Sequence, residues 1–411
     1  MPEFSSNCAA AVFCAESYNA LAVTRSLGRR GVPVISLGQE RDSITFHSRY
    51  ASERIVYPDP VLDEAGFRKC VRDLAARQRA RGIRTVVFST SDRVVKLLSD
   101  HREDFSSGLE LYLPARDIVE TSLDKLAQYR VAEKIGVPYP RTYSNGDHAR
   151  LVAEIAAGVA VPPLFLKARV PLNDPALARF RRMKLETAAD AAARVAEAEA
   201  LGVPFVVQEI IPGGDDQLYT LGSTMNARGE LVSYFTGRKL RQMPPGFGIC
   251  RVGESLPVPE VAEHGARLLA AIGFHGISQV EFKYDARDGK YKLMEINPRS
   301  WSWVGLPIEL GADLPWAMFC EALGHSLPAQ NSPPSQRWLW ISLTHDLERS
   351  LQHRDGNPLA HLFGGYERVV EAFYASDDPA PGLSHFGRAA REWGGRLLGK
   401  ITKLASSAPR R

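Results

Sequence analysis

Over the first ninety residues, uninterrupted apolar runs alternate with stripes at helical spacing. Ala10 to Cys14 is a short apolar run of the kind that fills a buried strand. Leu21, Val23 and Leu27 then recur at helical spacing between Ala20 and Arg30, and Gly31 stops the helix. Val32 to Leu37 reads as a second strand. The segment Leu74 to Arg81 leads to a third, Thr85 to Ser89, which ends in the polar cluster Thr90-Ser91-Asp92. This β-α-β order predicts a parallel sheet covered by helices, with functional groups at the carboxyl ends of its strands.

The pattern then changes. Ser122 to Arg130 is a helix with Ser122 as its expected N-cap, ended by Ile135-Gly-Val-Pro-Tyr-Pro140. A helix near Asp147 to Ala157, a strand at Leu164 to Ala168, an alanine-rich helix from Thr187 to Leu201 and a strand at Phe205 to Ile211 form two helix-strand units, hence a compact α/β subdomain. The strands Leu218 to Met225, Glu230 to Lys239, Gly276 to Tyr284 and Lys290 to Asn297 read as an antiparallel run around the helix Val261 to Ile272. The turn Asp285-Ala-Arg-Asp-Gly289 closes the last two into a hairpin. Pro328 to Pro334 is a linker, and from Phe386 onward apolar residues at three- to four-residue spacing, interleaved with Arg and Lys, predict a basic amphipathic helix. That helix has three uses open to it: packing within the chain or in a homodimer, an acidic partner, or an anionic membrane surface.

The most informative stretch is Tyr291 to Arg299. In an extended strand, residues two apart face the same way, so Glu295, Asn297 and Arg299 share one face while Met294 and Ile296 pack behind. Val280-Glu281-Phe282 brings a second carboxylate one hairpin earlier. Hard oxygen donors in this number suit Mg²⁺, which takes one or two carboxylates and draws its other ligands from phosphate and water. The plain alternative is an edge strand with a solvated polar face. Lys167 sits inside Leu164-Phe-Leu-Lys-Ala168, where an unpaired charge is costly to bury, and a bound anion accounts for it. Arg238, Lys239 and Arg241 form a cationic stretch whose alternation puts Lys239 and Arg241 on one face, suited to phosphate or a carboxylate, or else to an exposed basic edge.

Composition narrows the choices without adding one. The 411 residues, 45% hydrophobic and 24% charged, describe an ordinary globular chain of two or three packed units. Five cysteines with no C-x-x-C pair argue against a disulfide framework or structural zinc, and fit a reducing cytoplasm. Glu3 stands where a basic leader would begin and no stretch approaches a spanning apolar length, so neither export nor a membrane span is expected. The net charge of +4 is concentrated after Phe386, leaving a near-neutral body that does not suit nucleic acid. The first turn, Ala15 to Asn19, holds no glycine, which argues against a dinucleotide there. G-x-S-x-G and H-E-x-x-H are absent and the ten histidines are scattered, so hydrolase chemistry has no local support.

Several spaced motifs together resemble the ATP-grasp superfamily, in its carboxylate-amine ligase branch with D-aspartate ligase-like enzymes. They are Asp124-Lys125 with Gly136-Val-Pro, Lys167, Gln208-Glu-Ile-Ile-Pro-Gly213, Gly237-Arg-Lys-Leu-Arg241 with Pro244-Pro-Gly, Val280-Glu281-Phe, and Glu295-Ile-Asn-Pro-Arg299. The resemblance implies an N-terminal parallel α/β domain over 1–120, a small α/β lid over 121–204, a catalytic antiparallel-sheet subdomain over 205–328 and a C-terminal extension over 329–411. It implies that ATP and Mg²⁺, with Mn²⁺ as the alternative ion, activate a small carboxylate as an acyl phosphate which an amine then attacks. Lys125 and Lys167 would hold the α and β phosphates; the plain alternative for Lys125 is a solvated surface lysine. Gln208, Glu209 and Ile211 would frame the adenine, Asp215 or Asp216 the ribose, and Arg238 would belong to the nucleotide site. Glu281, Glu295 and Asn297 would hold the metal, and Arg299, Lys239 and Arg241 would act on the transferring group. Rivals are a non-catalytic nucleotide-binding scaffold and a kinase that stops after phosphoryl transfer. One departure is plain. The glycine-rich loop that many members carry after the strand lysine is replaced by Ala168 to Pro175, and the basic run Arg179, Arg181, Arg182, Lys184 is either its substitute or a solvated helix face. Trp301 and Trp303 either wall the acceptor pocket or belong to the core. A cytoplasmic protein is expected, with a peripheral contact at the inner membrane face as one use of 386–404.

Overall fold

A computed structural model describes residues 7–169, 175–244, 246, 248–330, 335–353 and 360–392. Strands β1 (Cys8–Phe13), β2 (Val34–Gly38), β3 (Ala51–Val56) and β4 (Arg84–Phe88) form a parallel sheet in the order β3-β2-β1-β4. The apolar run of β1 has a simple cause: Ala10 and Val12 pack on one side of the sheet, Ala11 and Phe13 on the other. The helix Tyr18–Gly28 covers the first side. It starts where the Ser17 hydroxyl accepts from the Ala20 amide, two residues before the start expected from the pattern. Helices Glu64–Ala80 and Asp92–Asp100 cover the second side through Phe67, Val71, Leu97 and Leu98.

The small sheet is antiparallel. Its strands β5 (Thr142–Ser144), β6 (Leu164–Ala168), β7 (Arg182–Leu185) and β8 (Phe205–Glu209) run in the order β5-β8-β6-β7. Leu164 and Leu166 of β6 pack with Leu151, Val195 and Ala198 of two helices. Alternation therefore turns Phe165 and Lys167 to the opposite face.

Seven strands make the large sheet, β13-β12-β9-β10-β11-β14-β15 in space. They are β9 (Leu218–Met225), β10 (Leu231–Met243), β11 (Ile249–Ser255), β12 (Gly276–Asp285), β13 (Lys290–Asn297), β14 (Trp338–Ile341) and β15 (Arg368–Glu371), antiparallel except for β14 with β15. Helices Lys125–Ile135 and Pro259–Ala271 pack on Leu221, Val280, Phe282 and Ile296. Gln279 and Glu281 thus face the other way, toward the parallel sheet. There Gly222 is indispensable for space, since a Cβ on it would stand 2.0 Å from the Trp301 ring. Trp301 and Trp303 are both buried in the core that joins the two sheets, at 1% and 0% exposure.

Several expectations change. Ser122 does not begin a helix: it lies inside Arg116–Leu123, where its hydroxyl donates to the Ile118 carbonyl, and Asp124 caps the next helix by accepting from the amides of Leu126 and Ala127. Both amides go to Asp124 Oδ1, and Gly136 (φ 70°) closes the same helix in a left-handed conformation. The sheets do not divide at residues 204 and 328. Strand β8 completes the small sheet by pairing with β5 and β6, while β14 and β15, from beyond residue 328, extend the large one.

The chain then returns to its beginning. Asp378 accepts from Arg25 Nε at 2.9 Å, the Ser48 hydroxyl at 2.7 Å and the Arg49 amide at 2.9 Å, while Asp377 receives Arg29 and Tyr50. Residues 380–392 are helical and dock on this corner, with His385 stacked on Phe373 at 3.5 Å. The rest of the expected amphipathic helix, from Trp393 through Leu404, lies outside the described residues. Among the described residues no helix is long and apolar enough to cross a membrane.

Candidate active site

Strands β12 and β13 pair so that Glu281 stands directly opposite Glu295, and Gln279 opposite Asn297. The two carboxylates therefore meet at one cleft, but the register of β12 on β13 slips between Glu281 and Phe282, so that Leu293 and not Met294 joins Ile296 in the core and Met294, expected to pack behind, lines the cleft instead. They line a cleft of about 690 Å³ together with Lys125, Arg182, Lys239, Asn297, Arg299 and, from the parallel sheet, Ser17, Asn19, Thr90 and Asp92. A second lobe of the same cleft runs under the small sheet, past Phe165, Lys167, Arg181 and Met294. Lys125, Arg182, Glu281 and Glu295 border both lobes.

Each charged group is held by its element. Lys239 reaches from β10 to Glu281 at 2.8 Å, and both are buried. Arg299 grips Asp92 with two nitrogens, at 2.7 and 3.1 Å, and donates to Asn297 Oδ1 at 3.0 Å. Asn297 in turn donates to Gln279, and Gln279 to Thr220. The helix carrying Lys125 is fixed to β13, because Gln128 accepts from the Ile296 amide and Tyr129 donates to the Met294 carbonyl. Asp124 also receives Arg169 from the end of β6, tying that helix to the small sheet.

The electrostatics separate the two glutamates. Burial pushes the Glu281 carboxyl up; Lys239 opposes this and Glu295 reinforces it. Burial also acts on Glu295, but Lys125, Lys167, Lys239 and Arg299 outweigh it and hold that carboxyl below its ordinary value. Burial lowers the Lys167 ammonium to about 8, with Lys125 and Arg182 acting in the same direction against Glu295 and Glu281. Facing acids of this kind, one of them pushed toward its neutral form, are relieved by a cation between them. The donor set of two carboxylates and one amide oxygen fits Mg²⁺ and leaves its remaining positions to water or phosphate. Among the described residues no group of three or more His, Cys, Asp or Glu side chains competes as a metal site.

Other expected site residues are placed elsewhere. Lys239 and Arg241 do not share a face: the register of β10 against β11 slips on both sides of Arg241, and this bulge turns its guanidinium to the buried Asp346, 3.1 Å away, and to Ser350. Arg238 pairs with Glu254, which is also reached by Arg337 and Tyr366. Asp215 accepts from the amides of Gln242 and Gly246 and from the Gln242 side chain, so it braces the end of β10; Asp216 is exposed on the adjacent turn. Gln208 is buried, donating to Thr142 and accepting from Tyr129, while Glu209 receives Arg287 and Lys292, and Ile211 is buried. The motifs missed Ser17, Asn19 and Gln279. Only the rule that strand carboxyl ends carry function pointed to that region, and it singled out Thr90 to Asp92.

No family model matches the sequence. A curated relative, D-aspartate ligase from Enterococcus faecium (strain Aus0004), is 23% identical over 252 residues, covering 59% of this chain and 58% of the relative. The chain thus spans less than two thirds of that relative's length. Among solved structures, the L-amino acid ligase from Bacillus licheniformis superposes with a TM-score of 0.58 at 16% identity over 78% of this chain and 75% of its own. The biotin carboxylase domain of the Hydrogenobacter thermophilus 2-oxoglutarate carboxylase, solved with MgADP, ADP and bicarbonate, gives 0.62 at 16% identity over 79% and 72%.

Proposed function

We propose that this chain, which has the ATP-grasp fold, is an ATP-dependent ligase that joins a carboxylate to an amine, with an amino acid as one partner. The observation that carries this is the facing pair Glu281 and Glu295, bordered by Lys125, Lys167, Lys239 and Arg299 in one cleft. The D-aspartate ligase and L-amino acid ligase similarities support an amino acid substrate.

In this scheme the donor carboxylate attacks the γ phosphorus of ATP, ADP leaves, and an acyl phosphate forms. An amine then adds to the acyl carbon and inorganic phosphate departs, leaving an amide. Lys125 and Lys167 neutralise phosphate oxygens from two directions, and Lys167 is poised to do so because among the described residues no carboxylate forms an ion pair with it. Arg182, directly opposite Lys167 in the β6-β7 pair, adds a further cation where a glycine-rich loop would otherwise supply amides. Glu281, Glu295 and Asn297 would hold Mg²⁺, which supplies charge neutralisation and alignment of the phosphate oxygens; Mn²⁺ suits the same oxygens. Arg299, kept rigid by Asp92, stabilises charge on the transferring phosphoryl group and on the tetrahedral centre. Lys239 stays bound to Glu281 and presents its remaining protons to the cleft. Met294 and the hinge at Gln208 to Ile211 frame the adenine, and with the oxygens of Asp215 already engaged, the ribose contact falls to Asp216.

The test is ADP release from ATP and Mg²⁺ over a matrix of amino acids and other acids with amines, with product masses read by spectrometry. A product equal in mass to both partners minus water supports the ligase. ADP formed without dependence on an amine makes the protein a kinase, and tight ATP binding with no ADP from any pair makes it a scaffold.

A further inference from the structure

A second cavity, of about 250 Å³, adjoins the cleft and takes no part in the scheme above. Tyr18, Ala22, Arg25 and Arg29 line it as one stripe of the first helix, opposite the segment Ser302 to Glu309 just beyond Arg299. Its remaining walls are β14, β15 and the residues that follow as far as Asp377. Tyr18 and Ser302 line both this chamber and the cleft. Three compartments therefore follow one another: the lobe with Lys167, the cleft with Arg299, and the chamber.

The charged lining of the chamber is already committed. Among the described residues three arginines and three acids line it, and their charges cancel. Arg29 holds Asp377 with two nitrogens at 2.8 Å and also reaches Glu309, which pairs with Arg368. Arg25 is bound to Asp378, and Glu371 accepts the amides of Phe373 and Tyr374 at 2.7 Å. A phosphate or a free carboxylate entering here would have to displace a partner already in place. What remains for a ligand is uncharged surface. Tyr18 and Trp340, with ring centroids 5.7 Å apart, form an aromatic wall, and Ala22, Gly305, Ile308 and Val370 add small and aliphatic surface. An apolar cavity of about 150 Å³ is enough to bind benzene, so the chamber has room for a phenyl or indole group.

We infer that this chamber receives the aromatic side chain of an amino acid that serves as the amine partner, with its nitrogen at Tyr18 and Ser302 and its ring against Trp340. Calling that amino acid a substrate rests on the ligase reading; the aromatic site itself does not. The order of the compartments follows the order of the reaction, with nucleotide in the first, the activated acid beside Arg299 in the second, and the amine entering from the third. A ring gains contact with both aromatic walls, whereas a methyl side chain leaves the chamber to water and an acidic one meets charges that are already paired.

Calorimetry on the full chain with Mg²⁺ and a non-hydrolysable ATP analogue tests this without turnover. Phenylalanine and tryptophan are compared with alanine and aspartate, each as both enantiomers, in the wild type, Gly305→Leu and Ala22→Leu. These variants fill the chamber from two walls and touch no group placed in the reaction. A Cβ on Gly305 meets Ala22 and Trp340 at 3.7 Å, which is ordinary contact, so the backbone there tolerates a side chain. The expected result is roughly tenfold tighter binding of the aromatic amino acids in the wild type, lost in both variants while the ATP analogue binds as before. A wild type without an aromatic preference overturns the inference, as does a preference that survives in either variant; if one variant fails to fold, the other decides. The two readings fail separately. Aromatic binding that the filled chamber abolishes, with no ADP formed from any acid and amine, keeps the site and removes the ligase, whereas an amide formed equally well from alanine and phenylalanine keeps the ligase and removes the site.

Discussion

The two walls of the cleft are built from opposite materials. Under the small sheet, on the side proposed for the nucleotide, Lys125, Lys167, Arg181 and Arg182 line the same lobe as Glu281 and Glu295, so that charges balance charges within a few strands. On the parallel-sheet side, Ser17, Asn19 and Thr90 are neutral, and Asp92, the one acid there among the described residues, is paired with Arg299. A triphosphate with its metal requires dense compensating charge at any sequence of events, whereas a substrate pocket has to discriminate, and neutral hydrogen-bonding groups in a dry site discriminate better than mobile cations. In the proposed reaction the charged wall would run the chemistry and the neutral wall would choose what undergoes it.

Substitutions on each wall can break this division. The largest effect is expected from Glu295→Gln, which keeps shape and removes the charge facing Glu281: ADP formation should drop by about 10³-fold or more, with thermal unfolding unchanged within a few degrees. Full turnover at saturating Mg²⁺ would overturn the metal assignment. Next is Asp92→Asn, which loosens the grip on Arg299 across the cleft. Turnover should fall about tenfold with the KM for ATP nearly constant, and Asp92→Glu should restore part of the loss; a change confined to KM would show that Asp92 does not act through Arg299.

A gentler test uses pH. Because Lys167 titrates at about 8 in the free protein, it is charged below that value and neutral above it. Affinity for MgATP should be highest below pH 8 and decline above it by up to about tenfold per unit, and Lys167→Met should flatten the decline. The smallest effect on turnover is predicted for Arg241→Leu. Its guanidinium is committed to buried Asp346 outside the cleft, so turnover should stay within about twofold while unfolding stability falls by about 3 kcal/mol. The reverse pattern, lost turnover in a stable protein, would return Arg241 to the site.

What could be read beforehand follows the same division. Glu295 and Asn297 are alternate positions of β13, and local alternation put them together; Arg299 lies two residues past the end of that strand, where Asp92 holds it, and Glu281 is one hairpin away, where pairing register does the rest. Lys167 was found because it interrupts an apolar strand. Arg241 was misplaced for an equally local reason, since alternation was extended through a β-bulge that leaves no mark in the residue pattern. Asn19 had no signal at all. An asparagine in the first turn of a helix is ordinary, and it becomes notable only when it is buried and lines a cleft whose other wall comes from strands far along the chain.

The amino-acid sequence by itself determined the β-α-β start of the parallel sheet, four strands of the large antiparallel sheet, and the neighbouring places of Glu281, Glu295 and Asn297, because these depend on periodicity over a few residues and on one hairpin. Only the tertiary structure decided that Asp92 holds Arg299, that the bulge in β10 sends Arg241 to Asp346, that β14 and β15 extend the large sheet, and that the start of the first helix faces the metal-binding strands. Those outcomes depend on how separate sheets pack through the shared core around Trp301 and Trp303, and long-range packing is a property of the whole chain that no local window contains.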